Sequence, residues 1–309
     1  MKFAVVGSGG VGAYFGGRLA QAGQDVTFVA RGAHLAAIRE QGLRVESTEG
    51  DFTVPGARVT DDLKTLGATD VFLLGVKTWQ VRDVAAQLAS VLHERSAVLT
   101  LQNGVEAPDE VARSCGRPRV IAGLCRLMSY VAAPGLIRHA GVKPRIEFGE
   151  LSGEVSGRVE ALRAAFDACH GVTASVPEDI QAALWDKFLF IAPFSAVGAV
   201  ARKPAGQWRH VPQTRALLET AMWEVVALAR ARGVALPDDA VQRTLNFADK
   251  LPAESTASMQ RDLLDGKPSE LEAQTGAIVR LAASAGVSVP ANAFLYAALL
   301  PSELGARAR

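Results

Sequence analysis

Only three cysteines occur in the 309 residues, and Cys115, Cys125 and Cys169 stand far apart, none in a Cys-x-x-Cys or Cys/His ligand spacing. An odd, scattered set argues against a disulfide framework or a zinc site, and implies a reduced, cytoplasmic setting. Charge of one sign is lacking too: 33 Lys and Arg against 32 Asp and Glu leave a net charge of +1. There is no basic footprint for nucleic acid or for an anionic membrane, so partners must be argued from sites. Long apolar runs are also missing. Residues 3–6 are too few for a signal-peptide core and lead straight into glycines. The uncharged stretch 188–201, ~14 residues, falls short of the ~18–20 that span a bilayer, and Pro193 and Gly198 interrupt it. It reads as a buried helix, with Pro193 the place to expect a kink. What remains is an ordinary globular composition, 49% hydrophobic and 21% charged.

Two rhythms divide the chain. In the first half, β-type runs at residues 2–6, 25–30, 70–76 and 97–101 alternate with helical patterns at 10–22, 33–41, 80–92 and 106–114. Strands alternating with helices imply βαβ units and a mostly parallel sheet covered on both faces. Residues 43–54, with Glu49-Gly50-Asp51 in the middle, read as an inserted hairpin, and 120–130, 136–139 and 145–149 as strands that close the domain. After about Pro177 helices dominate, at 178–201, 212–232, 238–250, 269–285 and 291–299. The expectation is an α/β fold: an N-terminal Rossmann-type dinucleotide-binding domain, residues 1–176, followed by an all-helical C-terminal domain, residues 177–309. The join falls near 172–177. Such sheets bind ligands at the carboxyl ends of their strands, so a cleft between the halves is the expected site.

Gly7-Ser8-Gly9-Gly10-Val11-Gly12 satisfies G-x-G-x-x-G. Alone the pattern is weak, but here it follows an apolar strand and opens an amphipathic helix, the context its chemistry requires. Gly7 permits the tight turn, Gly9 lets pyrophosphate approach the backbone, and Gly12 lets helix and strand pack closely. First-turn N–H groups and the positive helix end then hold phosphate. The second strand ends in Phe28-Val29-Ala30-Arg31-Gly32, without the acid that usually accepts from the ribose 2′-hydroxyl of NAD. Arg31 can pair with a 2′-phosphate instead, which favours NADP; the competing reading is a solvated surface arginine.

With that turn, Arg31, Lys77, Asn103 and Lys187 in place, the chain resembles the ketopantoate reductase (2-dehydropantoate 2-reductase) family over nearly its whole length. Val76-Lys77-Thr78-Trp79-Gln80-Val81 looks like that family's lysine segment, and Leu101-Gln102-Asn103-Gly104-Val105 like its asparagine-glycine turn. Leu184-Trp185-Asp186-Lys187 matches the start of its catalytic helix, and Ser258 with Glu270 the spacing of its late serine and glutamate. The resemblance implies hydride transfer from NADPH to a 2-keto group, giving a 2-hydroxy acid, with pantothenate and coenzyme A synthesis as the setting. Lys187 would give the proton to the developing alkoxide and stabilise its charge; an ammonium in a partly desolvated site suits both tasks. Asn103 would contact the cofactor near its reacting end, Lys77 would help place cofactor or substrate, Glu270 would contact the ribose side, and Ser258 the substrate carboxylate. Without the resemblance, Lys187 reads as a helix-terminal lysine reaching water, Lys77 as a loop lysine, Asn103 as a turn residue and Ser258 as a helix start. Ser269 to Glu272 fits a capping box, with Ser269 as N-cap and Glu272 reaching back, which leaves Glu270 free for the cleft.

One part of the pattern departs. Ketopantoate-specific members carry asparagines four and eight residues after the lysine, and another in the following turn; here Ile191, Ser195 and Ala205 stand there. Ile191 and Ser195 lie one and two helical turns beyond Lys187 on its face. The substrate pocket they line is expected to be less polar and less discriminating. A related 2-keto acid, an opine-like substrate, or a catalytically silent NADP-binding sensor are the alternatives; the retained Lys187 and Glu270 speak against the last. Helices such as 212–232 can bury an intersubunit face as readily as an internal one, so a homodimer stays open.

Overall fold

The computed structural model describes residues 1–308. It contains two compact units, one made of Met1–Gln102 and Ala107–Ile180, the other of Asn103–Glu106 and the chain from Gln181 onward.

The first unit is α/β. In order it runs β1 (Lys2–Val6), α1 (Gly10–Gln21), β2 (Asp25–Val29), α2 (Gly32–Gln41), β3 (Leu43–Ser47), β4 (Phe52–Val54), β5 (Arg58–Thr60) and β6 (Val71–Leu74). Then follow α3 (Val81–Leu88), β7 (Ala97–Thr100), α4 (Ala107–Cys115), β8 (Val120–Arg126), β9 (Ser129–Ala133), β10 (Leu136–His139), β11 (Arg145–Glu150), α5 (Gly157–Asp167) and β12 (Thr173–Ser175). Eight strands form one sheet in the order β12-β11-β8-β7-β6-β1-β2-β5. All neighbours are parallel except β11 against β8. Strand alternation explains why β1 is apolar from Phe3 to Val6. Phe3 and Val5 enter one core with Phe15 and Phe28, while Ala4 and Val6 enter another with Phe72 and Leu74. A strand buried on both faces has no polar side to show.

The hairpin expected at 43–54 is present as the antiparallel pair β3 and β4, and it joins β10 and β9 in a second sheet ordered β4-β3-β10-β9. Of the strands expected to close the domain, β8 and β11 belong to the large sheet but β9 and β10 to the small one. Beneath it Arg18, 1% exposed, lies 4.2 Å over the Phe52 ring and donates to the Glu49 and Gly50 carbonyls. The segment expected as the join also contains β12, which pairs parallel with β11 as an edge of the large sheet. All three cysteines are buried, and burial pushes the Cys169 thiol up to about 12.

The second unit is helical: α6 (Ile180–Ala201), α7 (Ala205–Trp208), α8 (Pro212–Ala231), α9 (Ala240–Lys250), α10 (Ser258–Leu264), α11 (Thr275–Ala285) and α12 (Pro290–Arg307). α6 runs unbroken through Pro193, and by length and composition it could cross a membrane. Two-thirds (67%) of its apolar window is buried inside the protein, the state of a core helix. Phe194 packs on Trp208 and Phe190 on Phe247, at ring separations of 5.1 and 5.0 Å.

α11 begins at Thr275, five residues later than the capping box at Ser269 predicts. The reason is a competing acceptor. Glu303 of α12, 1% exposed, takes the Ser269 N–H at 3.0 Å and its hydroxyl at 2.5 Å. Ser269 Oγ in turn accepts from Leu271, and Glu272 turns to Arg280 and Tyr296 rather than back to Ser269. Residues 271–274 are therefore a turn rather than helix, and the chain leading into it is held by a buried carboxylate.

Candidate dinucleotide and reductase site

In the first unit, Val6 lies beside Val29 and Leu74, and Leu74 beside Thr100, so four central strands end in register. The Gly7–Gly12 turn, Arg31 and Lys77 all leave that one edge. There the chain winds from β1 to β2 on one side and to β6 on the other, the switch point at which open α/β sheets take ligands.

The glycines have distinct tasks. Gly7 has φ +95°, and a Cβ there would come within 2.6 Å of the Val76 nitrogen. At Gly12 a Cβ would strike the Gly7 carbonyl and come 3.1 Å from Val5 Cγ1. Gly10 is closed as well, a Cβ there coming 2.7 Å from the Ser129 carbonyl carbon. Gly9 differs: its backbone is extended and nothing lies within 4 Å of where a Cβ would be. A phosphate could reach this open backbone at the start of α1, whose first N–H groups have no intrahelical acceptor. The turn thus has the shape a dinucleotide pyrophosphate requires. Val11 contributes backbone only, since its side chain packs on the core.

Ser8 ties the turn to its neighbouring strand. Its N–H (3.2 Å) and its hydroxyl (3.0 Å) both donate to the Val29 carbonyl, pinning the turn to the end of β2. Ser8 thereby holds the turn against the strand beside it. Arg31 is exposed at the N-cap of α2, whose first turn holds no acid. Three residues on, His34 Nδ1 accepts from the Gly135 N–H at 3.0 Å. Burial holds this imidazole below its usual range, against a smaller opposite effect of the Ser8 backbone. Lys77 is exposed just after β6, its Nζ 5.8 Å from the Trp79 ring centre. Gln102 is 6% exposed and donates to the Leu74 and Val76 carbonyls (2.8 and 3.0 Å), fixing the loop that presents Lys77.

In the second unit Lys187 sits half-buried on α6, with Ile191 half-buried one turn on and Ser195 fully buried after another. Ser195 Oγ has no hydrogen-bond partner among the described residues. Asn103 Nδ2 donates to Glu270 Oε2 at 2.8 Å, joining two of the expected site residues across 167 positions of sequence. Glu270 is 6% exposed. Ser258 is the first residue of α10 and half-buried. Ala205 is fully buried, and its N–H goes to the Ser255 carbonyl.

The family described as "Ketopantoate reductase PanE/ApbA" matches residues 3–153, and its C-terminal counterpart matches residues 179–303. The chain belongs to the ketopantoate reductase family. It is 33% identical over 302 residues to a 2-dehydropantoate 2-reductase of Mesorhizobium japonicum, covering 91% of each chain. To the 2-dehydropantoate 2-reductase of a Nostoc species it is 29% identical, covering 96% of this chain and 93% of the other. Among solved structures, a PanE/ApbA family ketopantoate reductase from Ralstonia eutropha superposes with a TM-score of 0.90 at 32% identity, covering 99% of this chain and all of that one. The protein is accordingly an oxidoreductase with a dinucleotide-binding fold, as the resemblance implied.

Neither His34 nor Gln102 was singled out from the sequence, nor were Glu106 and Arg280, described below. Gln102 adjoins the asparagine-glycine turn and is the one with a visible signal.

Proposed function

We propose that the chain uses NADPH to reduce the 2-keto group of ketopantoate, or of a closely related 2-keto acid, to the 2-hydroxy acid, a step toward pantothenate and coenzyme A. The observation that carries the cofactor choice is Arg31. It is exposed just beyond the end of β2, at the start of a helix whose first turn has no acid to receive a ribose 2′-hydroxyl. A guanidinium there can pair with the 2′-phosphate in bidentate geometry.

The bound dinucleotide supplies the hydride. Lys187 Nζ gives its proton to the keto oxygen as charge builds there, and recovers it from solvent afterwards. Before that transfer is complete, the ammonium stabilises the charge developing on the oxygen. With one amide hydrogen held by Glu270, Asn103 offers its Oδ1 and remaining N–H to the reacting end of the cofactor. Lys77 and Ser258 serve the substrate carboxylate, and Ile191 and Ser195 face its tail.

A second reading, a different 2-keto acid, is favoured by Ile191, Ser195 and Ala205. A pocket with one short hydroxyl in place of amides pairs fewer of the substrate's polar groups, and selectivity for a hydroxylated tail falls accordingly. The experiment is NADPH and NADH oxidation with ketopantoate and a panel of 2-keto acids differing in tail size and polarity. Turnover with NADPH well above that with NADH supports the proposal, and the ranking of acids decides between the readings. Tight NADPH binding without turnover on any acid would make the protein a sensor.

A further inference from the structure

Asn103, Gly104, Val105 and Glu106 form a four-residue strap that is part of the helical unit, although the residues on either side of it are not. It is held at three points by the segment 270–280. Glu270 accepts from Asn103 at one end. In the middle Gly104, φ +94°, lies so close to Ala273 that a Cβ would come 2.5 Å from its carbonyl oxygen. At the other end Arg280 Nη2 donates to Glu106 Oε2 at 2.9 Å.

Arg280 is itself built in. Nη1 donates to the Glu272 carboxylate and Nη2 to the Glu272 carbonyl, both at 2.8 Å, and Tyr296 donates its hydroxyl to the other Glu272 oxygen at 2.7 Å. The knot closes over Gly276, where a Cβ would come 2.9 Å from Glu272 and 3.0 Å from Arg280. Burial and the Glu272 carboxylate push the Tyr296 phenol up to about 12, so this donor stays protonated at any working pH. About half exposed, the Arg280 pairs add little to stability. Their geometric effect is larger: without Arg280 the strap has one side-chain hold instead of two.

We propose that Arg280 is a positioning residue for Asn103, holding the strap through Glu106 so that the asparagine amide stays aimed at the reacting end of the cofactor. This rests on the reading of Asn103 given above. A displacement near 1 Å at a reacting group costs on the order of a hundredfold in rate, so a partial loosening should cost about tenfold. The test is a double-mutant cycle in kcat, with NADPH and the panel acid that turns over fastest, using Arg280→Met, Asn103→Ala and both together. Expected are an about tenfold loss in Arg280→Met, a larger loss in Asn103→Ala, and no further loss when they are combined, because one acts through the other. Glu106→Gln should reproduce Arg280→Met, Arg280→Lys should recover part of the rate, and the NADPH-to-NADH preference should not move. Unchanged kcat in Arg280→Met and Glu106→Gln, or losses that multiply in the double variant, would overturn the proposal alone. Full activity in Asn103→Ala would overturn the assignment of Asn103 and this proposal with it.

Discussion

Replacing Gly9 by alanine should leave the fold intact and disable the cofactor site. The Gly9 backbone, φ −77° and ψ −166°, is extended and open to any residue, and an added Cβ meets no protein atom within 4 Å. Folding should be unaffected or gain ~0.4–1 kcal/mol from the stiffer unfolded chain. The same methyl would stand where phosphate approaches the first turn of α1. Losing one charge-assisted N–H contact, ~1.5–3 kcal/mol, weakens NADPH by about ten- to a hundredfold. Gly7→Ala is the control of opposite sign. A positive φ of 95° and a Cβ 2.6 Å from the Val76 nitrogen should destabilise the fold. Left-handed strain of ~1–2 kcal/mol and overpacking of ~1–3 kcal/mol together give ~2–5 kcal/mol. NADPH titration calorimetry beside thermal unfolding separates the two effects. Wild-type NADPH affinity in Gly9→Ala, or wild-type stability in Gly7→Ala, would refute the reasoning.

Lys187→Ala should lower turnover by ~10²–10⁴-fold with NADPH affinity nearly unchanged, and a retained rate would remove Lys187 from the chemistry. Arg31→Asp should shift preference from NADPH toward NADH; an unaltered ratio of the two kcat/KM values would sink the 2′-phosphate assignment. His34 gives a pH dependence. Its folded pKa lies below the ordinary 6.5 because burial disfavours the charged ring, so the unfolded chain binds this proton more readily. The stability contribution is present above pH 6.5 and is lost as pH falls from there through the lowered folded value, flattening below it. Protonation would also set an Nδ1–H against the Gly135 N–H. Urea unfolding of wild type and His34→Gln across that range should show a shallower acid loss in the variant, whereas parallel curves would contradict it.

Much of the first unit could be read from local pattern because its central strands are buried on both faces and its glycines stand between strand and helix. The small sheet could not, since β3 and β10 pair across about ninety residues with nothing local to set their register. β12 is three small residues, Thr173-Ala174-Ser175, too short for an alternating strand pattern. α5 was legible and passed over: Ser156 caps it, and Val159, Leu162 and Phe166 recur at helical spacing. The capping box at Ser269 was a sound local signal that a buried carboxylate 34 residues later outcompeted. In the site, motif spacing picked out Asn103 and Glu270, which do meet, but not Arg280, whose role depends on contacts made only in the folded unit. Ser8 shows the reverse, a motif residue whose hydroxyl bonds its own scaffold.

The most direct test of the central claim is a single-turnover measurement. The protein is loaded with NADPH, mixed with ketopantoate, and followed by loss of the reduced-nicotinamide absorbance. Stoichiometric loss in the wild type, slowed by orders of magnitude in Lys187→Ala, is the predicted result. NADPH that stays bound and reduced with ketopantoate and with every other 2-keto acid tried would contradict it.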